Sequence, residues 1–259
     1  MDDPTLTVLA LLALAALAAG YVDAVVGGGG LLQLPALLVA LPGAAPVQIL
    51  ATNKIAAFCG TSAAAATYYR RIRPDPRTFG PMMACAFVGA VGGAAVASQI
   101  PRSAFEPIVL VVLVVLGTYV VFQPTIGEET LLRFSGGRHL AAAMAIGTVI
   151  GFYDGALGPG TGTFFVFALV GLLGYDFLEA SAKTRLANWA TNLGALALFI
   201  PTGAVLWKVG LLMGVSNLLG GYLGARSAVA RGATFVRVFF VLVVGAFAVR
   251  IGGGIVGLW

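Results

Sequence analysis

Gly151-Phe152-Tyr153-Asp154-Gly155-Ala156-Leu157-Gly158 echoes a stretch near the start of the chain, Gly20-Tyr21-Val22-Asp23-Ala24-Val25-Val26-Gly27. The offset from Asp23 to Asp154 is 131 residues. Without a gap, the same offset aligns Gly29 with Gly160, Ala51 with Ala182, Lys54 with Arg185, Met82 with Met213, Gly89 with Gly220 and Gly93 with Gly224. Chance does not hold register over such a length, so the chain reads as two copies of one segment. The first copy covers residues 1–126 and the second 139–259, with a linker at 127–138.

Outward from the glycines, each copy reads as an apolar helix, a glycine cluster, a short apolar piece (Leu31 to Leu41; Thr163 to Leu173) and three longer helices. The apolar runs are Leu6 to Val22, Val47 to Tyr69, Pro81 to Ala97, Pro107 to Phe122, Leu140 to Leu157, Leu186 to Ile200, Val209 to Leu223 and Phe235 to Val249. Most approach the roughly 20 residues that a helix needs to cross a bilayer. Over 259 residues, 59% are hydrophobic and 10% charged, with a mean hydropathy of +0.99. That balance suits lipid as the solvent better than a soluble domain. The fold class is therefore an all-α polytopic membrane protein of two repeats, each a glycine-broken helix pair plus three transmembrane helices.

Five elements is an odd number, so the second copy enters the membrane from the side opposite to the first. The glycine-broken pair is either a re-entrant hairpin or two full crossings; both return the chain to the side it left. Charge supports the inversion. Arg70, Arg71, Arg73 and Arg77 crowd one loop, which the positive-inside bias makes cytoplasmic. Counting from there puts Arg133, Arg138, Arg226, Arg231 and Arg237 inside; the loops assigned outside hold only Arg102 and the boundary residue Lys208, and both termini, also outside, have no Lys or Arg. The loop Pro201 to Leu206, equivalent to the four-arginine loop, has lost its cations. The run Leu6 to Ala19 could pass for a cleaved signal peptide, but Asp2 and Asp3 precede it where such a peptide carries positive charge.

Several function classes fall away. The net charge of +5 comes from residues between apolar runs and not from a basic soluble face, so nucleic acid is not an expected partner. Cys59 and Cys85 lie inside apolar runs without zinc or disulfide spacing and read as small core residues. The glycine clusters lack the Lys-Ser/Thr ending of a phosphate loop and the strand of a dinucleotide turn. No nucleophile–base arrangement or metal-ligand spacing marks an enzyme, and no cofactor is expected.

The residues that can carry function are polar groups in apolar surroundings. Asp23 and Asp154 each sit four residues ahead of a glycine cluster, at a depth where ionisable groups are costly and tend to be functional; capping the broken helix is the structural alternative. The clusters Gly27-Gly28-Gly29-Gly30 and Gly158-Pro159-Gly160-Thr161-Gly162-Thr163 each end one helix and open another. Non-helical backbone at membrane depth must be buried in protein or line a cavity, and the N–H groups of the next helix suit an anion. Close helix packing is the alternative use of such glycines. Lys54 and Arg185 are equivalent cations, with Asn53, Asn188 and Asn192 as polar neighbours. Snorkelling is the alternative for these cations and the preferred reading for Lys183. Trp207 and Trp259 read as interfacial anchors, and His139 as a solvated linker residue.

The segments Tyr21 to Gly30 and Gly151 to Thr163 resemble the paired signature of the TauE/SafE family of sulfite exporters. The resemblance covers nearly the whole chain, and the second segment is the more specific. It implies a bacterial inner-membrane permease for sulfite, organosulfonates or related small anions. Asp23, Gly27, Gly29, Asp154, Gly158, Gly160 and Thr161 are the motif positions carried over. Pro159 stands where the first repeat has Gly28, so the two half-sites are not expected to be equivalent.

The sequence thus leads to a secondary transporter that binds a small anion between inverted repeats, with Asp23 and Asp154 coupling transport to H+ or Na+. Two other classes remain at this stage: an anion channel using the glycine turns as a filter, and a membrane assembly subunit without transport. The lipid bilayer is the expected partner, and an oligomer is compatible with it. The inversion has a direct check. Cysteines introduced beside Arg71 and Arg138 should react with impermeant reagent only from the cytoplasm, and those beside Asp3 and Gly203 only from outside. Labelling of positions 71 and 203 from one side contradicts it.

Overall fold

The computed structural model describes residues 4–97, 99 and 129–255. Its helices are α1 (Leu6–Val26), α2 (Gly29–Ala40), α3 (Pro46–Ile72), α4 (Pro76–Ala97), α5 (Gly136–Ala156), α6 (Thr161–Ala168, continued by a π-helical turn Leu169–Leu173), α7 (Phe177–Phe199) and α8 (Trp207–Ile255). α8 breaks at Gly232, where φ is 76° and ψ is −170°. No strand occurs among the described residues. The expected run Pro107 to Phe122 and the anchor Trp259 lie outside them.

Local chemistry sets the helix ends. The Thr5 hydroxyl accepts the Val8 N–H at the start of α1, and the Gln48 side chain accepts the Ala45 N–H where Pro46 opens α3. The Asp176 carboxylate accepts the Leu178 and Glu179 N–H groups at 2.9 and 3.0 Å to open α7. Gly27 ends α1 with φ of 90°, and Gly158, its equivalent after α5, has the same φ of 90°. A side chain at that φ is strained, which accounts for glycine in both repeats.

Shifted by 131 residues, α1 falls on α5, α2 on α6 with its π turn, α3 on α7, and α4 on the first part of α8. The packing repeats with the roles exchanged. α1 lies along α8 and α4 along α5. Gly220 and Gly224 bring their backbone onto the carbonyls of Leu17 and Tyr21; Gly89 and Gly93, their equivalents, do the same to Thr148 and Phe152. Gly20 meets the Asn217 carbonyl as Gly151 meets that of Ala86. A Cβ at any of these glycines would run into the facing backbone, so helix-to-helix approach of this closeness requires glycine.

The order of contacts gives helix directions. Gly89 and Gly93 meet Thr148 and Phe152 in ascending order, so α4 and α5 run parallel. Along α3 and α7 the order reverses: Ser62 meets Trp189 and Thr61 meets Asn192, while Thr52 meets Leu206, beyond the end of α7. These two equivalent helices are antiparallel and cross where Asn192 donates to the Thr61 hydroxyl, two residues that are themselves equivalent under the 131-residue shift.

The burial pattern is inverted relative to a soluble protein. Leu11, Leu14, Val149 and Val215 are each more than 60% exposed, whereas Lys54 is 2% exposed and Arg185 fully buried. Helices that turn leucine outward and lysine inward are built for a hydrocarbon solvent. Among the described residues, Leu6–Val26 and Pro76–Ala97 are long and apolar enough by themselves to cross a membrane. α2 has 12 residues, or about 18 Å at 1.5 Å per residue, well short of the hydrocarbon thickness.

Candidate functional site

The two glycine turns cross one another at the centre of the helices. The Thr163 N–H donates to the Gly27 carbonyl at 3.1 Å, and the Thr163 hydroxyl to the Val26 carbonyl at 3.3 Å. Gly162 lies against the backbone of Gly27, leaving no room for a side chain on either. Gly30 abuts Pro159 and Gly158 in the same way, though less tightly. One of the free N–H groups in the first turn of α6, that of Thr163, is thus spent on the other repeat's turn rather than left open.

Each repeat supplies the counter-charge for the other. Lys54 Nζ lies 2.6 Å from Asp154 Oδ2, and Arg185 Nη1 lies 3.1 Å from Asp23 Oδ2. The Arg185 Nη1 also donates to the backbone carbonyl of Asp23. Under the 131-residue shift, the first pair is converted into the second. Asp154 Oδ1 accepts the Thr161 hydroxyl at 2.6 Å, and Thr161 also donates to the Gly158 carbonyl. Asp23 Oδ1 accepts the Gly29 N–H at 3.3 Å, capping α2 across the turn. Both carboxylates are ion-pair partners; Asp23 also accepts a backbone N–H of α2, whereas Asp154 accepts only the side-chain hydroxyl of Thr161.

Of the residues singled out from the sequence, Asp23, Gly27, Gly29, Gly30, Lys54, Asp154, Gly158, Thr161, Thr163 and Arg185 come together at this crossing, whereas Lys183 and His139 do not. Gly28 is the N-cap of α2 and Gly160 that of α6. Asn53 is buried beside Lys54 with its Oδ1 unpartnered among the described residues, as is the hydroxyl of its equivalent, Thr184. Asn188 and Asn192 follow Arg185 along α7; Asn188 Oδ1 accepts from the Thr191 hydroxyl, and Asn192 reaches Thr61. The structure adds residues the sequence reading passed over. Gln33 donates to the Asn53 carbonyl and accepts from Asn217 at 2.6 Å, Tyr68 donates to the Ala24 carbonyl, and Tyr153 donates to the Pro159 carbonyl at 2.7 Å. Gln33 and Asn217 were visible as polar residues inside apolar runs.

Two readings are corrected at the end of the molecule that carries the four-arginine loop. Lys183 does not snorkel: it is fully buried, 2.6 Å from Glu179 Oε1, with its ammonium 4.4 Å from the Tyr175 ring centroid. A carboxylate four residues earlier on the same helix gives it a partner that the headgroups need not supply. His139 is not a solvated linker residue; it is buried in the first turn of α5, where its Nε2 meets the Tyr175 hydroxyl at 2.7 Å. Burial pushes the Tyr175 hydroxyl up to about 12, so it stays protonated. The linker folds onto this end: Leu131 and Arg133 N–H groups donate to the Gly174 and Leu173 carbonyls, and Thr130 bonds to the Asp176 carboxylate at 2.7 Å. Among the described residues, no cluster of side chains is suited to hold a metal.

The sequence profile of the sulfite exporter TauE/SafE family matches residues 12–251, which include both turns and both ion pairs. The chain belongs to the sulfite exporter TauE/SafE family. Its relatives in that family include the "Probable membrane transporter protein ORF9" of Sinorhizobium sp, 38% identical over 251 residues, covering 97% of this chain and 95% of that protein. The "Probable membrane transporter protein YfcA" of Escherichia coli K12 is 36% identical over 236 residues, covering 91% and 86%. A "Probable membrane transporter protein" of Haemophilus influenzae is 33% identical over 240 residues, covering 93% and 92%. No solved structure matches the chain.

For this TauE/SafE protein the pairing has a measurable cost of disruption. Lys54→Met leaves Asp154 buried without its cation, and breaking a buried pair from one side costs about 3–5 kcal/mol. Lys54→Met/Asp154→Leu should recover most of that loss, as read by chemical unfolding in detergent. Equal stability of the single variant and wild type contradicts the pairing.

Proposed function

We propose that this membrane transporter is a secondary transporter for a small oxidised-sulfur anion, sulfite or an organosulfonate, working by alternating access of two inverted repeats about the crossed glycine turns. The single observation that carries the reading is the reciprocal exchange of counter-charges at that crossing, where neither repeat has a neutral site without the other. The antiparallel course of the equivalent helices α3 and α7, and the parallel course of α4 and α5, support inversion of the second repeat. The short α2 and α6 support re-entrant hairpins whose tips meet at depth, the arrangement that transporters use to place helix ends on a substrate.

In this reading the site is formed by Gly27, Gly28, Gly29, Gly30, Asn53 and Lys54 from one repeat and Gly158, Gly160, Thr161, Thr163, Arg185, Asn188 and Asn192 from the other. Asp23 and Asp154 are the two carboxylates from which coupling to H+ or Na+ can be drawn. The protein resides in a bacterial inner membrane with the linker 127–138 cytoplasmic and both termini outside. The near-complete burial of Lys54, Asp154 and Arg185 favours a transporter over a channel, because a continuous pore through the crossing would wet these groups.

Counterflow in liposomes tests the function. Vesicles loaded with unlabelled sulfite should accumulate a transient overshoot of external radiolabelled sulfite, with saturable rates. Flux that neither saturates nor exchanges would mean a channel and would overturn the reading.

A further inference from the structure

The two ion pairs occupy equivalent places but are not equivalent in chemistry. In the Lys54–Asp154 half-site both groups are 2% exposed; Asp154 Oδ1 accepts the Thr161 hydroxyl at 2.6 Å, and Oδ2 lies 2.6 Å from the Lys54 ammonium as an ion pair, without a hydrogen bond among the described residues. The other half-site is incomplete. Arg185 spends Nη1 on Asp23, while its Nε and Nη2 make no hydrogen bond among the described residues, although the side chain is wholly buried. Nε–H and Nη2–H leave the guanidinium from one edge, parallel and spaced to meet two oxygens carried by a single atom. Unmet donors of a buried cation are costly, which makes an edge of this kind a place that awaits a partner.

The surroundings of this edge differ in the same sense. Asp23 keeps 15% exposure against 2% for Asp154, so it is the less enclosed of the two carboxylates. Gly162 covers the edge from the facing turn; a Cβ there would stand 2.9 Å from Nη2. Parting the crossed turns therefore uncovers the edge, and closing them encloses whatever it holds.

Resting on the transporter reading above, we propose that the Nε–Nη2 edge of Arg185 seats the transported oxyanion, that Asp23 takes up one proton as the anion binds, and that Lys54–Asp154 stays paired throughout. The charge balance is simple. Asp23 already neutralises Arg185, so an anion arriving at the free edge leaves one negative charge in excess in a poorly solvated place. A proton taken from water onto the Asp23 carboxylate restores neutrality. The other charged and titratable groups facing Asp23 are Arg185 from α7, Lys54 and Tyr68 from α3, and Asp154 from α5. Arg185 and Lys54 remain cations, the Tyr68 hydroxyl is committed to the Ala24 carbonyl, and Asp154 is held by Lys54 and Thr161. Asp23 is left as the group whose charge can change. The ligand class follows from the edge: anions with two oxygens on one centre, such as sulfite, sulfonates and carboxylates, meet both parallel donors in line, whereas on a halide the two donors would have to converge on a single atom.

Calorimetric titration of the purified full-length protein with methanesulfonate, a monoanion across the neutral range, tests this, with chloride as the comparison. Methanesulfonate should bind and chloride should not. Affinity should fall about tenfold for each unit rise in pH, as uptake of one proton per anion requires. Asp23→Asn should bind with that slope abolished. Arg185→Lys keeps the charge but loses the two-donor edge, and should weaken binding about tenfold or more beyond any loss caused by Lys54→Arg. Wild-type affinity in a folded Arg185→Lys, a preserved pH slope in Asp23→Asn, or no binding of methanesulfonate by the wild type each overturns the proposal. If sulfite counterflow persists in any of these cases, the seat is wrong and the transport reading stands; if counterflow is absent from the wild type, that reading fails too.

Discussion

A charge carried into hydrocarbon has to find its opposite there, because desolvation is not repaid by water. In this protein that requirement is met across the duplication: Lys54 of the first repeat neutralises Asp154 of the second, and Arg185 of the second neutralises Asp23 of the first. The rest of the fold follows from holding those partners within about 3 Å of each other. The two turns cross because the carboxylates sit four residues before them, and the turns are glycine because their backbones touch. A single copy of the segment would leave two buried charges unpaired, so the duplicated chain is the smallest unit in which the site is electrically complete.

Around that centre the helices associate without a conventional hydrophobic drive. Leucines and valines on the outer faces lose nothing by staying in lipid, so helix contact depends on close backbone approach and buried hydrogen bonds. The glycine contacts of α1 with α8 and of α4 with α5 supply the first. Gln33, Asn53 and Asn217, and Thr61 with Asn192, supply the second.

The 131-residue register, the glycine turns and the buried Asp, Lys and Arg were all legible in the sequence because each is a departure from an otherwise apolar pattern. The partnership between them was not. Lys54 and Asp154 are a hundred positions apart, and only the crossing of the turns shows that each cation meets the other repeat's carboxylate and not a bare substrate field. Local partners were missed for a related reason. Glu179 one turn before Lys183, and Tyr175 facing His139, convert residues that look like surface cations into buried ones. The asymmetry between half-sites was foreshadowed by Pro159 opposite Gly28, but its chemical form, a spare guanidinium edge on Arg185, needed the three-dimensional arrangement.

The central claim is that the crossed turns form one unit whose two halves respond together. Hydrogen–deuterium exchange of the backbone amides at 27–31 and 161–164, with and without sulfite, tests it most directly. Sulfite should slow exchange at both segments over the same concentration range, despite their distance in sequence. Protection at one turn alone, or at helices away from the crossing with both turns unchanged, would contradict it.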